Sequence, residues 1–215
     1  MKAIIFDFDG TLADTTAGIL HCFRKAVAEM GIPCPPDEVV RNTIGLPLKK
    51  NFTTTITGLD DEMADRCVAA YRRIFDIDAY KMITLYDGVS DTLKQLYERG
   101  TLMAIATSRS HHSLDVLTVN LGISGFFKGC WCADDVVNHK PAPDMVLAIL
   151  DRFGLEAADT LVVGDTTFDL MMGQAAGCPV CGVTWGNQDR EMLASVSPDY
   201  IIDDISELLE MSTTH

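Results

Sequence analysis

The chain is short of positive charge. Its 17 Lys and Arg residues stand against 31 Asp and Glu, a formal net charge of −14 over 215 residues. That speaks against nucleic acid as a partner, because phosphate backbones select basic surfaces. The sequence also lacks any apolar run near the roughly 20 residues needed to span a bilayer, so no membrane partner is expected. Only Lys2 and a few apolar residues precede Asp7, too little for a signal peptide, and a cytoplasmic location is expected. There are no repeats and no low-complexity segments, and nothing in the sequence fixes an oligomeric state. The seven cysteines are an odd number with no secretory segment, which points to reduced thiols. Cys178-Pro-Val-Cys181 has the spacing of a redox or zinc pair, and Cys130-Trp-Cys132 lies upstream. Both fall in short apolar segments that read as strands, where Cys acts as a small hydrophobe. The second pair also lacks the usual two-residue ligand spacing.

What is present is an ordinary globular composition, 47% hydrophobic and 22% charged. Short strands are predicted at about 3–6, 102–106, 129–132, 160–163 and 179–183. Between them lie stretches with helical spacing that stop at glycine: Val89 to Tyr97 before Gly100, Leu114 to Leu121 before Gly122, and Met145 to Phe153 before Gly154. Strands alternating with helices imply βαβ units and a parallel sheet, an α/β fold. Residues 14–86 break the alternation. They carry helical patterns at about 19–30, 36–44, 47–56 and 60–76 and no strand signal, which predicts a small all-helical domain threaded into the first. The expected division is 1–13 plus 87–215 for the core and 14–86 for the insertion. Charge divides the same way. The insertion is nearly balanced and the rest is strongly acidic, so an anionic substrate would need a metal and a local positive surface.

The first predicted strand ends in Asp7-Phe8-Asp9-Gly10-Thr11. Residues i and i+2 of a strand point the same way, so two carboxylates start on one face. Like charges so close raise each other's pKa unless a cation sits beside them. The physical reading is a divalent-metal site with one carboxylate free for chemistry; the plain alternative is a solvated turn. Three further polar clusters follow apolar segments: Thr107-Ser108, Lys140 ahead of Pro141-Ala142-Pro143, and Asp165 with Asp169 four residues on. Thr107-Ser108 alone reads as a helix N-cap. Together, the strand-end residues lie where open parallel sheets bind ligands, beyond the carboxyl ends of the strands.

These parts suit phosphoryl transfer. Asp7 and Asp165 supply hard oxygens for Mg²⁺. The hydroxyls of Thr107 and Ser108, with the Lys140 ammonium, can hold phosphate oxygens. Asp7 can form an aspartyl-phosphate. Asp9 can protonate the leaving oxygen and then deprotonate water.

In order along the chain, Asp7-Phe8-Asp9-Gly10-Thr11-Leu12, Thr107-Ser108, Lys140-Pro141 and Gly164-Asp165-Thr166-Thr167-Phe168-Asp169 resemble the four motifs of the haloacid dehalogenase superfamily. The match is to its phosphoglycolate-phosphatase-like branch with a helical cap. The resemblance implies a Rossmann-like core of strand order 5-4-1-2-3 and a cap that closes over the site. It implies Asp7 as nucleophile and Asp9 as acid/base. Mg²⁺ would be held by the Asp7 carboxylate, the Asp9 backbone carbonyl and Asp165, with Asp169 one shell out. The same order would put Cys130/Cys132 and Cys178/Cys181 on opposite sheet edges. Arg109-Ser110 stands where many relatives carry Asn-Lys, and Arg109 is open to two roles, touching the leaving group or capping its loop. His111 and His112, adjacent at a helix start, are expected to be solvated. Gly45-Leu46-Pro47-Leu48 could reach the site as a specificity loop, with Arg41, Lys49 and Lys50 meeting a second anionic group.

The expected partner is therefore a small phosphorylated metabolite, phosphoglycolate-like or a sugar phosphate. Carbon–halogen cleavage is disfavoured, since the resembled dehalogenases lack the second Asp. A mutase is disfavoured because Ile19 stands where those relatives carry His, and His21 is out of register. Pyrophosphatase chemistry stays open. From another class, a silent phosphometabolite-binding protein is possible in principle, but every motif residue is intact.

Overall fold

The computed structural model describes residues 1–77 and 79–211; position 78 of the expected insertion and residues 212–215 of the expected core lie outside them. Strand β1 (Ala3–Phe6) is followed by a two-residue strand β2 (Ala13–Asp14). Four helices come next: α1 (Thr16–Glu29), α2 (Asp37–Arg41), α3 (Leu48–Thr55) and α4 (Asp61–Ile77). Strand β3 (Thr84–Leu85) then pairs antiparallel with β2, so both crossings run through one small ribbon that the sequence did not announce. The remainder alternates: α5 (Val89–Glu98), β4 (Leu102–Ala106), α6 (His111–Asn120), β5 (Gly129–Trp131), α7 (Asp144–Phe153), β6 (Thr160–Gly164), α8 (Thr167–Ala175), β7 (Val180–Val183), α9 (Arg190–Ala194), β8 (Tyr200–Ile202) and α10 (Leu208–Met211).

The main sheet has the order β5-β4-β1-β6-β7-β8, with every pairing parallel. Its first five members reproduce the expected 5-4-1-2-3 order. The sixth, β8, is a correction: Tyr200–Ile202 adds a strand outside β7. Cys181 is therefore not at a sheet edge, and Cys178 lies ahead of β7 altogether. None of the seven cysteines forms a disulfide. Among the described residues, no helix is long and apolar enough to cross a membrane.

Strand alternation sorts the core into two layers. Ile4, Phe6, Met103, Ile105, Leu161 and Val163 face one side, where Leu93, Leu96, Leu114 and Leu117 of α5 and α6 cover them. Ile5, Ala104, Ala106 and Val162 face the other, against Met145 and Ile149 of α7 and Leu170 and Met172 of α8. The first layer runs on without a break into α1, α3 and α4. There Phe23 stacks on Phe52 at 4.6 Å, and Tyr71 meets Phe52 edge-on at 6.3 Å. Helices α5, α6 and α7 stop as their glycines demand: Gly100, Gly122 and Gly154 all have positive φ.

Candidate active site

The carboxyl ends of β1, β4 and β6 gather the polar residues. Asp7 follows β1 directly, and its amide extends the ladder to the Val163 carbonyl at 2.9 Å. The chain then turns through Gly10, with φ +81°. A Cβ built on Gly10 would stand 2.1 Å from Asp165 Oδ2, so only glycine lets the two strand-end loops close on each other.

Behind the cavity lies a buried charge cluster. Lys140 Nζ donates to Asp7 Oδ1 at 2.6 Å and to Asp169 Oδ1 at 2.7 Å. Asp169 Oδ2 accepts from the amide and hydroxyl of Thr166, capping the start of α8. Asp165 accepts from Thr11 Oγ1 and from both the amide and the side-chain amide of Asn187. Asp7, Asp165 and Asp169 can each offer an oxygen within 4.8 Å of the other two. Three buried carboxylates facing one ammonium leave an excess of negative charge that suits a divalent cation, and all-oxygen donors suit a hard one. Electrostatics agree. Burial, then the charge of Asp169, pushes Asp165 up to about 7 against the opposing bonds from Asn187 and Thr11. Burial also drives Asp7 well above the carboxylate range, helped by Asp169, Asp165 and Asp9 and opposed by Lys140. Burial alone would lower Lys140; Asp169 and Asp7 overcome it and raise the ammonium above its ordinary value.

Asp9 is held separately. Arg109 Nε lies 2.8 and 2.9 Å from its two oxygens, and Arg109 also donates to Ser113 Oγ at 2.7 Å. The guanidinium packs against the rings of Phe8 and Phe75 at 5.7 and 5.3 Å to the centroids. Of the two roles open to Arg109, contact with a leaving group and capping of its loop, the structure shows a third: it clamps Asp9.

Asp7 and Asp9 open onto a cavity of about 660 Å³. Its far walls are Ile19, the segment from Ile44 to Lys49 that leads into α3, and one face of α4. Gly45 belongs to this wall, and its carbonyl accepts from Ser108 Oγ at 2.6 Å. Thr107 is fully buried behind the wall, its hydroxyl accepting from the Arg109 amide. The N-cap of α6 is Ser110, not Thr107 or Ser108. Of the three expected anion readers, two lie away from the cavity. Arg41 and Lys50 are exposed and lie outside the cavity lining. Lys49 does line it, and its ammonium pairs with the exposed Asp61 and Asp65 at 2.9 and 2.8 Å. His111 is partly exposed and His112 exposed, and they pair with Asp135 and Asp76 respectively. Cys132 lies close to the His111–Asp135 pair, and its amide and the imidazole both bond Oδ2 of Asp135.

The site also uses residues that motif reading passed over. Asn187 grips Asp165, and Gly186 lets it do so: a Cβ there would be 2.3 Å from the Asp165 Cβ. The available signal was their position just past the strand at 179–183, the same strand-end rule that marked Asp7 and Asp165.

A parallel sheet with carboxylates at its strand ends, a buried Lys among them and a helical insertion after β1 defines a hydrolase of the haloacid dehalogenase type. The family model described as haloacid dehalogenase-like hydrolase matches residues 4–183, and the chain belongs to that family. It is 36% identical to the probable phosphatase IndB of Dickeya dadantii, over 96% of this chain and 91% of that one. It is 32% identical to a phosphoglycolate phosphatase of Yersinia pestis (97% and 92% covered) and 31% identical to the pyrophosphatase PpaX of Oceanobacillus iheyensis (97% and 95%). A solved haloacid dehalogenase-like hydrolase from Streptococcus pneumoniae superposes with a TM-score of 0.87 at 27% identity, each chain 99% covered.

Proposed function

We propose that this enzyme is a Mg²⁺-dependent phosphatase that hydrolyses a small phosphate monoester through an aspartyl-phosphate on Asp7. One observation carries the reading: Asp7 faces an open cavity while Lys140, 2.6 Å away, and Asp165 and Asp169 crowd behind it.

In the first step an Asp7 oxygen attacks phosphorus, the bond from phosphorus to the leaving oxygen breaks, and Asp9 gives that oxygen its proton. In the second, Asp9 takes a proton from water, water oxygen bonds to phosphorus, and the phosphorus–Asp7 bond breaks, freeing phosphate and restoring the Asp7 carboxylate and the protonated Asp9. Lys140 fixes the Asp7 rotamer through Oδ1, and Arg109 fixes Asp9. Ser108 can turn its hydroxyl to a phosphoryl oxygen, and Thr107 supports the same loop from behind. Asp7, Asp165 and the Asp9 carbonyl would hold Mg²⁺, with Asp169 behind; when bound, the ion offsets the repulsion between the Asp7 carboxylate and the anionic phosphoryl group.

Residues 14–86 act as the cap. Contacts across the cavity support this: Ser108 to Gly45, His112 to Asp76 at 3.1 Å, and Phe75 over Arg109. A cap that closes for the first step and opens for the second admits water at the right moment. Ile19 lines the cavity where a mutase would need a proton carrier, which favours hydrolysis. Pyrophosphate is the second substrate reading, favoured by the relatives named pyrophosphatase. Seven cysteines without a disulfide suit a reducing, cytoplasmic setting.

The test is phosphate release from phenyl phosphate with and without Mg²⁺. Wild type should release phosphate only with the ion, Asp7→Asn should release none, and rapid acid quench should trap phosphorus on wild-type protein. Equal release by wild type and Asp7→Asn would remove the nucleophile from the reading.

A further inference from the structure

Helix α4 lays one face over the cavity. Asp65, Val68, Tyr71, Arg72, Phe75 and Asp76 all line it, at the spacing of three, four and seven residues that keeps side chains on one side of a helix. The charges in this lining are mostly matched. Asp65 is taken by Lys49, and Lys49 by Asp61 and Asp65. Asp76 meets His112. On the opposite wall, Arg109 is committed to Asp9. Arg72 is different. It is an exposed guanidinium on the cavity wall that makes no ion pair with a carboxylate among the described residues.

Its neighbours are apolar. Val68, Tyr71 and Phe75 share its helix face, and Leu46 and Leu48 face them from the loop. The cavity, at about 660 Å³, is far larger than a phosphoryl group alone. A wall of rings and branched chains with one unpaired guanidinium matches a leaving group that has an apolar body and an anionic end. The arginine stem can lie along apolar surface while its head reaches out. Its planar fork pairs with the oxygens of a carboxylate or phosphate two at a time.

We infer that Arg72 reads a second anionic group on the substrate, and that the substrate is a phosphate monoester whose leaving group joins an apolar body to that second anion. This rests on the phosphatase reading above and takes over the role that proximity to the Gly45 loop suggested for Arg41, Lys49 and Lys50.

Three esters separate the possibilities: phenyl phosphate, 4-carboxyphenyl phosphate and hydroquinone bisphosphate. They share the ring and differ in the second group, none, carboxylate or phosphate. Wild type should favour at least one of the two charged esters over phenyl phosphate by about tenfold in kcat/KM, the scale of one charge-assisted hydrogen-bonded pair. In Arg72→Gln that ratio should fall to near one, and Arg72→Lys should keep part of it through charge without the fork. The same comparison is made as Kd by calorimetry on Asp7→Asn, where no turnover is needed. A ratio of one in wild type, or a ratio untouched by Arg72→Gln, overturns the assignment. No phosphate release from any ester, with the Kd preference intact and dependent on Arg72, would sink the phosphatase reading and leave Arg72 as the anion reader.

Discussion

Lys140 and Asp7 stand 2.6 Å apart with almost no exposed surface on either side chain, and the same ammonium is 2.7 Å from Asp169. A buried pair of this kind adds little net stability over an apolar pair, but breaking it strands charge in a dry place. Lys140→Met leaves Asp7, Asp165 and Asp169 without their one organic cation. We expect a loss of about 3–5 kcal/mol in urea unfolding, seen as a lower midpoint with an unchanged slope. An unmoved midpoint would mean that the carboxylates shed their charge by other means.

Stability should also depend on pH in the metal-free protein. Burial and Asp169 raise Asp165 from an ordinary 3.8 to about 7. The folded chain then holds a proton that the unfolded chain has lost, so this group's contribution is fully present below 3.8 and disappears as pH rises through about 7. In chelator, Tm should fall from pH about 4 to about 7 and level off above that, and Asp165→Asn should flatten the fall. Saturating Mg²⁺ should flatten it too, because the ion binds the deprotonated carboxylates more tightly as pH rises. Parallel curves with and without Mg²⁺ would contradict a cation among these groups.

Much of the site could be read from residue order, and the reason is local. Asp7, Asp165 and Lys140 each sit against a feature with its own sequence signature, an apolar strand or a Pro-opened helix, so motif and position coincide. Strand β8 escaped because Tyr200–Ile202 is short and only half-buried at the sheet edge, where hydrophobic pattern is weak. Asn187 and Gly186 escaped because nothing nearby in sequence tells an Asx turn from a ligand clamp; their role appears only when the loop after β7 meets Asp165. Arg41 and Arg72 show the same limit inside the insertion. Chain proximity favoured Arg41, but the face α4 turns inward is set by Phe23, Phe52 and Tyr71 packing together, and that turns Arg72 toward the cavity.

Gly186 offers a test of that clamp. A methyl group at this position would press on the Asp165 Cβ at 2.3 Å and on the Gly10 carbonyl at 2.5 Å, both backbone-anchored and unable to swing away. Gly186→Ala should therefore separate the two loops and misplace Asp165. The Mg²⁺ concentration for half-maximal activity should rise about 10–100-fold, the cost usual for disturbing groups that orient metal ligands. Unchanged Mg²⁺ dependence would show that the loop after β7 plays no part in holding the ion.

Ser108 has one hydroxyl proton, and here it goes to the Gly45 carbonyl at 2.6 Å. If Ser108 holds a phosphoryl oxygen during turnover, the same proton must leave Gly45, since one O–H serves one strong acceptor at a time. Phosphate binding and this contact between the β4 loop and the insertion would then compete. Inorganic phosphate with Mg²⁺ should raise hydrogen exchange across residues 43–48 in wild type, because a tie of that loop is lost. In Ser108→Ala the segment should exchange faster from the start and respond little to phosphate, while KM rises about tenfold from the missing bond to the phosphoryl group. Slower exchange on phosphate binding in wild type would show that the loop tightens over the ligand by contacts other than this one, and Ser108 would then serve only to join the two parts of the chain.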